Sequence, residues 1–225
     1  MSKRRIRFTK MNMAKFISHL DLMRCFTRAI NRSGLPVVFS QGFNPHMKMT
    51  FALPLPVGVS GLREAADIVF EDGVDDDEIK ERLNENLPPD IRVTEVGDVG
   101  AKASDIVCAE YGITFRTENT IDINSIKDFF GRDEVIVMKL TKKKTEKPIN
   151  IMEYIRAWEV EEHDGEYTWL RLVLDAGGER NLKPDVVVAE LAKACPGTDA
   201  DSADICRREI FCRTQEKDGV LERFC

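Results

Sequence analysis

Residues 15–61 read KFISHLDLMRCFTRAINRSGLPVVFSQGFNPHMKMTFALPLPVGVSG, and the signals for one complete helix and two strands lie within them. Ser18 followed three residues later by Asp21 has the form of a capping box, so a helix is predicted to begin at His19. Gly34 suits the left-handed residue just past a helix, and Pro36 prevents continuation, so that helix is predicted to end at Ser33. At about 100° per residue, Leu22, Met23, Phe26, Ala29 and Ile30 fall on one side and Arg24, Arg28 and Arg32 on the other. The arginines form an i, i+4, i+8 line whose mutual repulsion an anionic partner would relieve. The competing reading is a solvated face with Asp21 as counter-charge.

Working outward, 4–11 alternates as a strand, with Ile6 and Phe8 inward and Arg5 and Arg7 outward. Val37 to Ser40 is a second strand, 42–46 (GFNPH) a turn-rich loop, and 47–53 alternates again until Pro54, Pro56 and Gly58 end it. A strand over 64–70, a helix over 75–87 with acids in its first turn and a strand over 91–96 complete the split βαβ pattern of a ferredoxin-like domain. Residues 97–104 read as a linker.

The second half repeats the plan. It has a strand over 106–115, a helix over 123–130 capped by Asp122, a strand over 134–140, a lysine-rich loop over 142–147 and a hairpin of 152–160 with 167–174 turning at Asp164-Gly165. A helix over 184–194 with proline in its first turn and a strand over 207–214 follow. The fold class is therefore α+β, two ferredoxin-like halves with antiparallel or mixed sheets, spanning 1–100 and 105–225.

A chain of 225 residues that is 43 % hydrophobic can bury a real core. No apolar run approaches the roughly 18 residues needed to span a bilayer, and no apolar signal segment follows the basic start MSKRRIRFTK. A cytoplasmic protein with no membrane partner is expected. Six scattered cysteines without a CxxC pair read as reduced thiols, and with three histidines no metal or other cofactor site is expected. Residues 1–60 carry ten Lys and Arg against the single acid Asp21, a balance of +9. The total of −6 then leaves −15 for the other residues. A basic end on an acidic body suits phosphate binding, unless the acidic half neutralises the basic one.

Two places carry candidate chemistry. His19, at the first position of a helix, sits in the positive end of the dipole, which favours a neutral ring able to act as a base. In the GFNPH loop, Gly42 permits close backbone approach, Phe43 offers a stacking face, and Asn44 and His46 bring donors and acceptors, with Lys48 next in line. His19 with His46 would make an acid/base pair for cleaving RNA, although no acid to orient either is evident and Ser18 reads as a cap. Tyr154, Arg156 and Trp158 alternate along one strand and suit either base stacking or a half-buried sheet face.

The residues SHLDLMR (18–24), Arg28-Ala29, GLPV (34–37), SQGFNPHMK (40–48) and PLPVGV (54–59), with Glu64 and Asp67 of EAADIVF (64–70), carry a resemblance. On these the chain is similar to the bacterial radical SAM-linked proteins, a domain of unknown function encoded beside a radical SAM protein or fused to its C-terminus. The resemblance implies a radical SAM protein as partner and hints at RNA. A weaker similarity, of fold alone, is to ferredoxin-like CRISPR repeat-processing endoribonucleases. The leading expectation is an accessory or substrate-presenting protein for a radical SAM enzyme, binding RNA or another phosphate-bearing substrate through Arg24, Arg28, Arg32, Phe43, Asn44, His46 and Lys48. The rivals are a metal-independent endoribonuclease and a pure protein-interaction module.

Overall fold

The computed structural model describes residues 1–117, 123–140, 145–178, 180–213 and 221–224. The chain divides into two units, one of Met1–Asp105 with Arg207–Cys225 and the other of Ile106–Cys206. Both are α+β.

In the first unit the order is β1 (Ser2–Lys10), α1 (His19–Ser33), β2 (Met49–Phe51), β3 (Val59–Phe70), α2 (Asp76–Asn86) and β4 (Ile91–Asp98), with a 3-10 turn over Asn12–Phe16. Strand β1 lies between β4 and β3, and β2 pairs with β3 from Met49↔Ile68 to Phe51↔Ala66; every pairing is antiparallel. This is the split βαβ arrangement, with α1 and α2 supplying the two crossovers. Helix α1 ends where its flanking residues require. The Ser18 hydroxyl accepts from the Asp21 amide and Gly34 takes φ 67°. Leu22, Phe26, Ala29 and Ile30 of α1 join Ile6 and Phe8 of β1 and Ile79 and Leu83 of α2 in one buried cluster.

The second unit runs β5 (Ile106–Thr117), α3 (Ile123–Phe130), β6 (Ile136–Leu140), β7 (Glu146–Asn150), β8 (Ile155–His163), β9 (Tyr167–Asp175), α4 (Pro184–Ala194) and β10 (Thr198–Arg213). Its sheet order β10-β5-β9-β8 repeats that of the first unit, and β6 and β7 form a separate antiparallel pair inserted before β8. Strand β10 serves both units: the division falls between Cys206 and Arg207, and β11 (Leu221–Arg223) pairs with its last residues. Where the sequence suggests a strand over 207–214 in a half spanning 105–225, β10 starts at Thr198 and its residues from Arg207 group with the first unit. The physical reason is Arg207, whose guanidinium pairs with Glu64 of β3.

Other expectations shift as well. Residues 37–40 make only the isolated bridges Val37↔Phe70 and Phe39↔Met47, because Ser40 closes the following loop too soon for a ladder. Arg5 and Arg7 do not face outward. Both are buried, since the face of β1 opposite the helices is covered: the Arg5 guanidinium stacks 4.0 Å from the Phe224 ring and pairs with Asp67, and Arg7 donates to the Phe224 carbonyl. The expected cap Asp122, part of the lysine-rich segment 142–147, Thr214 and Cys225 lie outside the described residues. Among those described, no helix is long and apolar enough to cross a membrane.

Candidate functional site

Helix α1 and the end of α2 enclose a cleft of about 540 Å³ lined by Asp21, Arg24, Cys25, Arg28 and Arg32 on one side and Asn86, Leu87 and Pro88 on the other. The amphipathic pattern of α1 produces it. With Leu22, Phe26, Ala29 and Ile30 committed to the core, the arginines at every fourth position are left in one line on the outer face.

The three arginines differ in what already holds them. Arg24 donates to Asp21 at 3.0 Å, and Arg32 donates to the carbonyl of Asn86 at the C-terminal end of α2, where a cation is favoured by the helix dipole. Arg28, between them, has no hydrogen bond or ion pair among the described residues and is exposed. Asp21 also accepts from the Ser18 hydroxyl at 2.7 Å, and that bond, with Arg24 second, holds its carboxyl below the usual carboxylate range. The box therefore closes on the Ser18 hydroxyl, and Asp21 is spoken for at one end of the cleft. Burial pushes the Cys25 thiol up, against the opposing pull of Arg32 and Arg28.

Most of the remaining positive charge of residues 1–60 is neutralised inside the first unit. Lys3 and Arg5 pair with Asp67, Arg4 with Asp76 and Asp98, and Arg7 with Glu95. The counter-charges come from 61–105, the same unit, and not from the second half as the neutralising reading supposed. What remains on the surface of the first unit as a line of cations is the α1 row, with Lys48 exposed apart from it.

The other sequence candidates lie elsewhere. The GFNPH loop is the tip of a closed turn: the Ser40 amide donates to the His46 carbonyl at 2.8 Å, the His46 amide donates to the Ser40 hydroxyl at 3.1 Å, and that hydroxyl meets His46 Nδ1 at 2.9 Å. Gly42 takes φ 126° at its start, Phe43 is wholly exposed, and Asn44 and Lys48 are exposed. None of Phe43, Asn44, His46 and Lys48 lines the arginine cleft. The His19 ring packs edge-on against Phe51 at 5.3 Å beside Phe8 and Phe26, and among the described residues no hydrogen bond or ring contact joins it to His46. The Tyr154, Arg156, Trp158 stripe is divided, because Tyr154 belongs to a 3-10 turn (Ile151–Tyr154) and Trp158 stacks on Phe130 at 4.8 Å.

Sequence reasoning missed a buried charged cluster under the start of α1. Arg207 donates to both oxygens of Glu64 and to the Leu53 carbonyl, and the Lys10 ammonium donates to the carbonyls of Lys15 and Ile17 at 3.3 and 3.2 Å. Burial lowers the Lys10 pKa, partly offset by Glu64. A Cβ at Gly61 would stand 2.5 Å from the Glu64 carboxylate, so any larger residue there would have to displace the Glu64 side chain. The available signal was Glu64 heading an otherwise apolar strand.

A family described as "Uncharacterized protein conserved in bacteria (DUF2344)" matches residues 3–184. No curated protein matches the chain. Among solved structures, a chain in "Crystal Structure of a Cbf5-Nop10-Gar1 Complex" aligns at TM-score 0.52 and 11 % identity over 92 % of this chain and 48 % of that one. A chain in "Crystal structure of the archaeal box H/ACA sRNP Nop10-Cbf5 complex" aligns at TM-score 0.49 and 11 % identity over 91 % of this chain and 46 % of that one. The chain thus spans about half the length of these two chains, and at 11 % identity the likeness to the first shows the fold alone.

Proposed function

The chain belongs to the DUF2344 family of uncharacterized bacterial proteins, and from that premise we propose that it binds a phosphate-bearing ligand, RNA foremost, in the arginine-lined cleft of its first unit. The observation that carries the reading is Arg28. A guanidinium with no partner among the described residues, held between two arginines already anchored at Asp21 and Asn86, leaves its fork of donors open to a phosphate. The Leu87 and Pro88 wall adds apolar surface on which a sugar or base can rest.

In this reading the protein works in the cytoplasm as an accessory or substrate-presenting partner of a radical SAM enzyme, as the motifs around SHLDLMR and SQGFNPHMK suggest. The exposed Phe43, with Asn44 and Lys48, is then a second contact for the strand or for the partner protein. The test is affinity for bulk RNA of the wild type and of the Arg24→Glu/Arg28→Glu variant, both checked for native circular dichroism. Loss of binding in a folded variant supports the reading. Binding undiminished from wild type refutes it, and a partner complex that survives nuclease treatment and still requires Arg28 would make the helix a protein-docking face instead.

A further inference from the structure

Strand β8 is an edge strand of the second unit, and its pairing with β9 slips between Ile155 and Ala157, so that Arg156 is the extra residue of a bulge. Bulges re-aim the side chain they carry. Here the Arg156 Nε donates at 2.5 Å to Asp175 Oδ1, at the end of β9, while Arg180 Nε donates at 2.5 Å to the other oxygen of the same carboxylate. Asp175 is buried, whereas its two partners keep 40 % and 49 % of their side chains exposed. One sunken carboxylate therefore holds two guanidinium groups at the surface.

Neither arginine is used up. Among the described residues Arg156 makes no further hydrogen bond, which leaves its terminal nitrogens open, and Arg180 adds just the Glu153 carbonyl through Nη2 at 2.5 Å. Arg180 lies 4.3 Å and the Lys139 ammonium 5.6 Å from the centre of the Tyr154 ring, and Lys139 is fixed by the Asn181 carbonyl at 2.7 Å. Arg156 and Arg180 thus share the one carboxylate of Asp175, and the Tyr154 ring carries both Arg180 and Lys139. A single arginine would have neutralised Asp175; the second, on a bulge that breaks the ladder to place it, makes a fork of fixed donors in which two guanidinium groups share one carboxylate.

We propose that Arg156, Arg180 and Lys139, oriented by Asp175 and Tyr154, form a second phosphate-binding site on the second unit, independent of the α1 cleft. A phosphate oxygen bridges the free nitrogens of the two arginines, and Lys139 supplies the third contact. The phosphate comes either from a nucleic-acid strand or from a small phosphorylated molecule.

The test follows the Arg Nε–H signals of the full-length protein by NMR, carried out in an Arg24→Gln/Arg28→Gln background so that the α1 cleft does not contribute. The Arg156 and Arg180 signals are assigned by Arg156→Gln and Arg180→Gln, each of which leaves Asp175 paired with the remaining arginine. The probes are inorganic phosphate and an eight-residue oligouridylate. Saturable movement of both signals is expected, with about tenfold weaker binding in either single variant, the fold-change of one charged hydrogen bond. Tighter binding of the oligouridylate assigns the site to a strand, and response to phosphate alone assigns it to small ligands. If neither probe moves these signals, or if both variants bind as well as the parent, the proposal is overturned.

Discussion

Replacing Arg207 with Met should cost the protein about 3 kcal/mol, at the lower end of the range for breaking a buried ion pair. Arg207 and Glu64 are both buried, and the guanidinium gives two bonds to the carboxylate and one, at 2.7 Å, to the Leu53 carbonyl. Met keeps the apolar stem, so the loss is of charge and donors rather than volume. Glu64 would be left buried without its guanidinium partner, with Lys10 as the remaining compensating cation, which is why the lower end applies. For a chain of this length the melting temperature should fall by roughly 6–12 °C. Unfolding followed by far-UV circular dichroism gives the figure. Fluorescence alone would not, because both tryptophans, Trp158 and Trp169, belong to the second unit. Glu64→Gln with Arg207→Met should recover about 2 kcal/mol of the single-variant loss, since the uncompensated charge is gone. A single variant within 1 kcal/mol of wild type, or a double variant no better than the single, would refute the reasoning.

Gly61→Ala should destabilise the same cluster by displacing the Glu64 carboxylate from 2.5 Å, and the effect should vanish in a Glu64→Ala background, as a double-mutant cycle would read. Ser18→Ala should cost about 1 kcal/mol by removing the α1 cap and freeing Asp21, measured by chemical denaturation. The Lys10 pKa is lower folded than unfolded, so the unfolded chain binds more protons between the two values. Stability should therefore rise with pH as it climbs from the lowered value towards 10.5, and Lys10→Met should flatten that rise in an alkaline denaturation series.

Local signals carried a good part of the fold. Ser18 and Gly34 set the ends of α1, Pro184 the start of α4, and Asp164-Gly165 the β8–β9 turn, because each acts through its own backbone. The outward reading of Arg5 and Arg7 failed for a non-local reason: alternation says which residues share a face, and only the return of Phe224 onto that face decides that both faces are covered. The start of β10 was missed because TDADSADIC (198–206) is acidic and polar, with Thr198 and Ile205 its two β-branched residues and no large apolar face to mark a strand. At the cleft, the arginine line was legible from period 3.6 alone. Its far wall was not, since Asn86, Leu87 and Pro88 are the end of α2 and the residues just past it, and the docking of that end on α1 is a tertiary event. The buried Arg207–Glu64 pair and the Arg156–Asp175 pair join residues too far apart in sequence for any local pattern to link them.

The most direct measurement is the affinity of the protein for single-stranded RNA across a salt series, wild type beside Arg28→Gln. The account predicts log affinity falling linearly with log salt, with a slope smaller by about 0.7 in the variant, one phosphate contact fewer. Identical slopes and affinities for the two proteins would contradict it, because Arg28 would then hold no phosphate.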